Sequence, residues 1–342
     1  MKKIFSFALV FLLAGVLAAC SSIHESASSS SEGTSDSSSD STEKNEGKFP
    51  NKPINIIVAY DAGGGTDTTA RSLQPYLEKE LGVPVNIINK PGGSGWVGWT
   101  EIANAEPDGY TIGYLNSPNF ASGLINPTME RSIDLEDFTI LSNHVADPGA
   151  IVIRVDEDRF TNFKELVDYA KKHELTTTAT GVAGDDHLVT LKLNKKLGTK
   201  FRAIQFEGTA ESRTAFLGGH VDVLITSVGE GYTMHQNKQL EVVAIAANNK
   251  SSFLPEVPTI KEAGFDEIIS QSTRGLVAPK GIDSEKVEVL QQAIEKAIKS
   301  AEHQKKMKKV GTQVDFANGQ DYMKLLQQDI EDVKEIKDLL GW

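Results

Sequence analysis

Two glycine-rich segments carry the residues best suited to chemistry. Tyr60-Asp61-Ala62-Gly63-Gly64-Gly65-Thr66-Asp67 and Asn89-Lys90-Pro91-Gly92-Gly93-Ser94-Gly95 each follow a short apolar run. Successive glycines let a backbone turn its N–H groups inward and let a ligand come close, and the free N–H groups at the start of a following helix attract an anion. Tyr60, Ala62, Gly63, Gly64, Gly65, Thr66 and Asp67 are the candidate contacts in the first segment, and Asn89, Gly92, Gly93, Ser94 and Gly95 those in the second. A tight turn capped by Thr66 or Asp67 is the structural alternative for the first. Neither segment is a nucleotide signature. No Gly-Lys-Ser/Thr follows the first. Gly93-Ser94-Gly95-Trp96-Val97-Gly98 matches a dinucleotide fingerprint by letter only: it starts several residues after the preceding strand, Trp96 and Val97 are bulky for a pyrophosphate turn, and no acidic residue lies about 20 positions onward.

Covalent and metal chemistry find little support. The seven histidines, at 24, 144, 173, 187, 220, 235 and 303, form no HExxH or other close ligand pair, and no Gly-x-Ser-x-Gly elbow exists. Asp185-Asp186-His187 offers three adjacent ligands, which rarely converge on an ion without help from elsewhere. Cys20 is the only cysteine, which excludes an intrachain disulfide, a cysteine-based metal site and a catalytic cysteine in the fold. No catalytic residue, metal or cofactor is expected. A cell-surface hydrolase would turn over its substrate, whereas a receptor would return its ligand unchanged.

The elements that hold these loops alternate. Ile54 to Ala59 reads as a buried strand, and Ala70, Leu73, Leu77 and Leu81 follow at helical spacing with Gly82 as the stop. Val85 to Ile88 is the next strand. Strand signals recur near 111–115, 139–145, 150–154, 176–180, 201–204, 221–226, 242–247 and 275–278, mostly with helical patterns between them, which predicts an α/β chain with mostly parallel sheets flanked by helices. Near the C-terminus, Val287, Leu290, Ile294 and Ile298 mark one amphipathic stripe, and Tyr322, Leu325, Leu326, Val333, Ile336 and Leu340 another. Open α/β sheets bind ligands beyond the carboxyl ends of their strands. Asn116, Ser117 and Asn119 follow one predicted strand, and Thr180, Ser227 and Glu230 follow others, so they join the candidate contacts.

Residues 1–48 have another role. Lys2 and Lys3, the apolar run Ile4 to Leu17 and small residues before Cys20 have the order of a secretory signal peptide, and the run is shorter than the roughly 20 apolar residues of a spanning helix. Leu17-Ala18-Ala19-Cys20 resembles the lipobox of bacterial lipoproteins, which implies cleavage before Cys20 and a lipid on its sulfur. Ser21 to Lys48 has almost nothing to bury and reads as a disordered tether with a reach of roughly 30 Å. The net charge of −12 and the lack of a basic patch argue against a nucleic-acid partner.

The remaining chain matches a family. Phe49-Pro50-Asn51-Lys52-Pro53-Ile54, Gly63-Gly64-Gly65-Thr66-Asp67 with Ala70-Arg71, Asn89-Lys90-Pro91-Gly92 and Pro107-Asp108-Gly109-Tyr110-Thr111 resemble the extracytoplasmic receptors of tripartite tricarboxylate transporters. Leu217-Gly218-Gly219-His220-Val221-Asp222, Leu254-Pro255-Glu256-Val257-Pro258-Thr259, Glu262-Ala263-Gly264 and Gly275-Leu276-Val277-Ala278-Pro279 continue the family order. The resemblance implies a two-lobed fold of the periplasmic-binding-protein type (type II). A solute carboxylate would be held by the two glycine loops, and a membrane permease would read lobe closure. The expected lobes are 49–149 with 275–342 and 150–274, crossing near Ala150–Arg154 and Thr273–Pro279. A monomer is expected, at the outer face of the cytoplasmic membrane and anchored there by the lipid on Cys20. A sensor serving a membrane signalling partner is the alternative role.

The second lobe departs from the family pattern. Gly181-Val182-Ala183-Gly184-Asp185-Asp186-His187-Leu188 replaces a small polar turn before His-Leu, and Phe206-Glu207-Gly208-Thr209 replaces Tyr-Lys-Gly-Gly. Both changes add negative charge or remove positive charge. The expected solute is a small organic carboxylate or amino acid, with one carboxylate and a neutral or cationic far end facing Asp185 or Glu207. Capping of the helix near His187 by Asp185 and Asp186, with Glu207 in water, is the alternative.

Overall fold

The computed structural model describes residues 47–342; the expected signal peptide, Cys20 and the expected tether through residue 46 lie outside the described residues. The strands are β1 (Ile54–Val58), β2 (Val85–Asn89), β3 (Thr111–Ser117), β4 (Phe138–Ile153), β5 (Leu175–Thr180), β6 (Phe201–Phe206), β7 (Leu224–Ser227), β8 (Glu241–Ala246), β9 (Gln271–Pro279) and β10 (Val314–Asn318). The helices are α1 (Gly65–Leu81), α2 (Trp96–Ala103), α3 (Asn119–Ile125), α4 (Phe163–Ala170), α5 (Asp185–Leu197), α6 (Thr209–Leu217), α7 (Val228–Gln236), α8 (Ser284–Lys299), α9 (Ala301–Lys309) and α10 (Gly319–Ile336).

The first lobe is a sheet in the order β10-β4-β9-β3-β1-β2. Ile54, Ile56 and Val58 point to one face, where Leu73, Leu77, Leu290, Ile294 and Ile298 cover them; Ile57 points to the other, against Trp99, Phe120, Tyr322 and Leu326. Side chains of a strand alternate between faces, so an unbroken apolar run such as β1 requires a sheet covered on both sides. α1 ends as expected: Gly82 takes the left-handed conformation at φ 70° and its N–H donates to Glu78 O. In the α10 stripe Leu325 departs from expectation and is 39% exposed, because α10 packs through Tyr322, Leu326 and Val333, with Met323 and Ile330 beside them.

β4 joins the lobes. Its residues Phe138 to Pro148 pair with β9, while Gly149 to Ile153 pair with β7 and β8. The two strand signals at 139–145 and 150–154 are thus one continuous strand. Pro148 brings no N–H to either ladder, and beside it the Gly149 N–H donates to Ser270 O at 2.9 Å, just ahead of β9. The second lobe adds a parallel β5–β6 pair, bridged to β7 through Thr177 and Val223. Parallel pairing holds for β1–β2, β1–β3 and β5–β6, but every pairing made by β4 or β9 is antiparallel. The sheets are therefore mixed where mostly parallel ones were expected. Alternation of strands and helices predicts crossover connections, and β4 and β9 instead run past one another as the two passages between lobes.

Candidate functional site

β1, β3 and β9 direct a group of side chains into the cleft between the lobes. Asn116 on β3 and Arg274 on β9 are paired across the ladder, so their side chains share one face. Ser117, next along β3, faces the other way, toward Asp329 of α10. The start of α1 enters from the same side, with Gly64 as its N-cap and no side chain capping it. The first N–H groups of an α-helix have no partner within the helix, so those of α1 are available to an anion. Tyr60, Gly64, Gly65, Thr66, Asn116, Asn119 and Arg274 face Thr180, Asp185, Asp186, Thr226 and Glu230 of the second lobe around a cavity of about 40 Å³. That volume holds roughly three waters. A larger space of about 300 Å³ lies beyond Glu230 and Arg274, beside Gly63, Arg213 and Thr312.

The lobes touch on both sides of this cavity. Asn119 Nδ2 donates to Thr180 O at 2.8 Å and Ser122 Oγ to Ala183 O at 2.5 Å. Arg213 donates to Gly63 O at 3.3 Å, and the Ser94 N–H donates to the Glu207 carboxylate at 3.0 Å. Three glycines make these approaches possible. A Cβ on Gly65 would overlap Oε1 of Glu230, one on Gly208 would overlap the Asp61 carboxylate, and one on Gly181 would sit 2.7 Å from Ser94 Cβ.

Charge is concentrated and unbalanced. Arg274 pairs with Asp147 at 3.3 Å and Glu230 at 3.2 Å. Asp147 also accepts from Ser227 Oγ at 2.7 Å and from the Gly229 N–H at 3.0 Å, and Glu230 accepts from Thr226 Oγ1 at 2.5 Å. Burial pushes Asp147 up although Arg274 opposes it. Burial pulls on the Arg274 guanidinium, yet Glu230, Asp147 and Asp185 hold its pKa above the ordinary value. Burial, then Glu230, raises Asp185 to about 6. Asp186 is raised well above the carboxylate range by burial and Asp185, while its oxygens accept from the N–H groups of Thr180 and His187. Tyr60, buried beside Asp185 and Asp186, keeps its proton.

The other candidates occupy distinct places. Asp67 and Asn89 bond each other at 3.0 Å; Asp67 also holds the Gly63 N–H and Arg71, and Asn89 holds Tyr60 O, so both brace the first loop from behind. Ala62 is exposed. Gly92, Gly93, Ser94 and Gly95 form the rim, where the Ser94 N–H meets Glu207 and Ser94 O accepts from the Tyr60 hydroxyl at 3.4 Å. Ser227 lies behind Arg274. His187 Nδ1 accepts from the Ala183 N–H, and no three potential metal ligands gather among the described residues. Arg274 and Asp147 were not among the sequence candidates. A lone charge within the apolar run Gly275 to Ala278 and its approach was the available signal, since an isolated charge in a buried strand needs partners.

Comparison with known proteins agrees with this geometry. A protein of Cupriavidus necator described as "UPF0065 protein in gbd 5'region" is 31% identical over 296 residues, covering 86% of this chain and 89% of that protein. The periplasmic binding protein BugD superposes with a TM-score of 0.78 at 28% identity, covering 86% of this chain and 99% of BugD. MatC from Rhodopseudomonas palustris, solved with bound malate, gives a TM-score of 0.76 at 25% identity over 85% of this chain and all of MatC (100%). Residues 69–341 match the model of the tripartite tricarboxylate transporter family receptor. With two lobes around a polar cleft that offers an uncapped helix start, the chain belongs to that family of extracytoplasmic solute-binding receptors, which are not enzymes.

Proposed function

We propose that this protein is a lipid-anchored receptor that captures a small organic carboxylate or amino acid between its lobes and delivers it to the membrane permease of a tripartite tricarboxylate-type transporter. The observation that carries the reading is the uncapped start of α1, which opens into the interlobe cavity beside Arg274. A carboxylate there accepts from backbone N–H groups and lies at the positive end of the helix dipole. We take the lobes to be 49–148 with 271–342 and 149–270, following the change of strand partners at Gly149. The anchor rests on Leu17-Ala18-Ala19-Cys20 and the tether behind it. A lipid would confine the receptor to the layer where its permease sits and raise their effective concentration. Native mass spectrometry of the purified protein tests the capture step. A retained, unmodified carboxylate supports it, and release of a processed product would refute it.

A further inference from the structure

We infer that the cavity is built for a zwitterion, with one carboxylate at the start of α1 and Arg274 Nε, and one ammonium between Asp185 and Oδ1 of Asn116. This names the solute class for the receptor proposed above and rests on that reading.

The argument is a count of unpaired polar groups around one small space. Arg274 is 3% exposed; its Nη1 and Nη2 serve Asp147, Ser227 and Glu230, but its Nε has no partner among the described residues. Asn116 is 5% exposed, donates Nδ2 to Thr66 Oγ1 at 2.8 Å, and leaves Oδ1 without a partner. Buried polar groups are almost always satisfied, so an orphan donor and an orphan acceptor on the same sheet face mark where a ligand completes the site. The donors, Arg274 Nε and the α1 N–H groups, call for an anion. The acceptor calls for a ligand N–H or O–H.

Asp185 decides which. It lines the cavity, and among the described residues its carboxylate is bonded by no other residue and meets only its own backbone N–H, whereas Asp147, Asp186 and Glu230 are each held by donors from other residues. An ammonium brings three donors and a positive charge, which suits Asp185 and Asn116 together. A second carboxylate would face Asp185 and find most other helix starts occupied; that of α6 has no side-chain cap, but its N-cap Gly208 packs against the Asp61 carboxylate. The first turn of α5 carries Asp185 and Asp186, the Gly229 N–H of α7 binds Asp147, and the Ser94 N–H before α2 binds Glu207.

The test is calorimetric titration of the purified protein with the common amino acids, their deaminated acids, their decarboxylated amines, and malate and adipate as dicarboxylates. At least one amino acid should bind about 100-fold more tightly than its deaminated acid, its amine and both dicarboxylates, as expected when a buried group loses its only partner. Asp185→Asn should remove most of that preference by weakening the amino acid and tightening the deaminated acid, and the binding of the latter also shows that the variant is folded. A deaminated acid binding as tightly as its amino acid would overturn the ammonium subsite and leave the carboxylate receptor standing. Binding of amines without any carboxylate would overturn both readings. Failure of every amino acid to bind would overturn the zwitterion.

Discussion

Gly65→Ala separates closure of the lobes from stability of the fold. Gly65 opens α1 and its φ is not in the left-handed region, so alanine suits the backbone and should stabilise the helix by about 0.5–1 kcal/mol. In the closed arrangement, however, the new Cβ would overlap Oε1 of Glu230 from the second lobe and lie 2.7 Å from Arg274 Nη2. The Glu230 carboxylate is the flexible end of a side chain, so it swings aside and keeps Thr226 while losing Arg274. One charged hydrogen bond across the cleft is then lost, worth about 1.5–3 kcal/mol, less than the 3–5 kcal/mol for deleting one member of a buried ion pair outright. Solute affinity should fall by about 10- to 150-fold, since each 1.4 kcal/mol is tenfold. Thermal unfolding without solute should move upward or stay unchanged. Gly231→Ala, one residue from Glu230, is the control: its Cβ meets nothing nearer than 3.4 Å, so affinity should hold. Calorimetry with the tightest solute of the panel, paired with thermal melts, reads both quantities. An unchanged dissociation constant in Gly65→Ala would refute the claim that Glu230 must cross Gly65 when the lobes shut.

Three further outcomes are expected. Glu207→Ala removes the rim bond to Ser94; because Glu207 is exposed the loss is about 0.5–1 kcal/mol, a 2- to 5-fold rise in dissociation constant by calorimetry, with Glu207→Gln losing less because its amide oxygen still accepts. His144 sits in a buried chain, accepting from Tyr114 and facing His303 at 2.8 Å, and burial, His303 and Arg274 hold its pKa well below 6.5. Its folded form refuses a proton that the unfolded chain accepts, so its contribution to stability is complete above pH 6.5 and is lost as pH falls below it. Asp185 and Asp329, both raised to about 6, act in the opposite sense, so the informative quantity is the difference from His144→Gln, whose thermal stability relative to the parent should rise as pH drops below 6.5. Cys20→Ala should leave solute affinity of the purified protein intact and depress uptake by whole cells; loss of binding in that variant would show that anchor and receptor are not separable.

The first half of the site was legible because its chemistry is local. β1, the three glycines and the start of α1 follow one another in sequence, and Gly82 closes the helix that the apolar spacing announces. The second half depends on partners brought from afar. Arg274 meets Asp147 across 127 positions and Glu230 across 44, and nothing in a linear pattern ties those charges together. The gap between the strand signals at 139–145 and 150–154 holds a true change of strand partners, but not a break in the strand, because each half of β4 finds its own neighbours. β10 escaped notice for a different reason. Its residues Val314-Asp315-Phe316-Ala317-Asn318 form a short strand on the sheet edge and need little apolar content to hold there. The excess of acid in the second lobe was readable as composition, but which acid remained available was not. Asp186 spends its oxygens on Thr180 and His187, Glu207 binds Ser94 at the rim, and only Asp185 is left facing the cavity.

That remaining carboxylate links selectivity to closure. When the lobes meet, Asp185, Asp186 and Glu230 of the second lobe approach Asp147 of the first, with Arg274 as the cation set among these four acids. Keeping Asp185 ionised there at neutral pH, when its pKa has risen to about 6, costs on the order of 2–3 kcal/mol. Opening returns Asp185 to water and relieves the burial that is the largest part of that cost, while Glu230 moves with it, so the acidic surplus biases a receptor without solute toward separated lobes. A solute bearing a carboxylate alone satisfies α1 and Arg274 but leaves the repulsion in place. One that also carries an ammonium neutralises Asp185 and removes the penalty only in the closed form. A ligand shifts an equilibrium by its differential affinity for the two states, and an offset of 2–3 kcal/mol changes the closed-to-open ratio by about 30- to 150-fold. On the zwitterion reading, the carboxylate determines where the solute binds and the ammonium determines whether the lobes stay shut around it, so a permease that recognises the closed form meets loaded receptors.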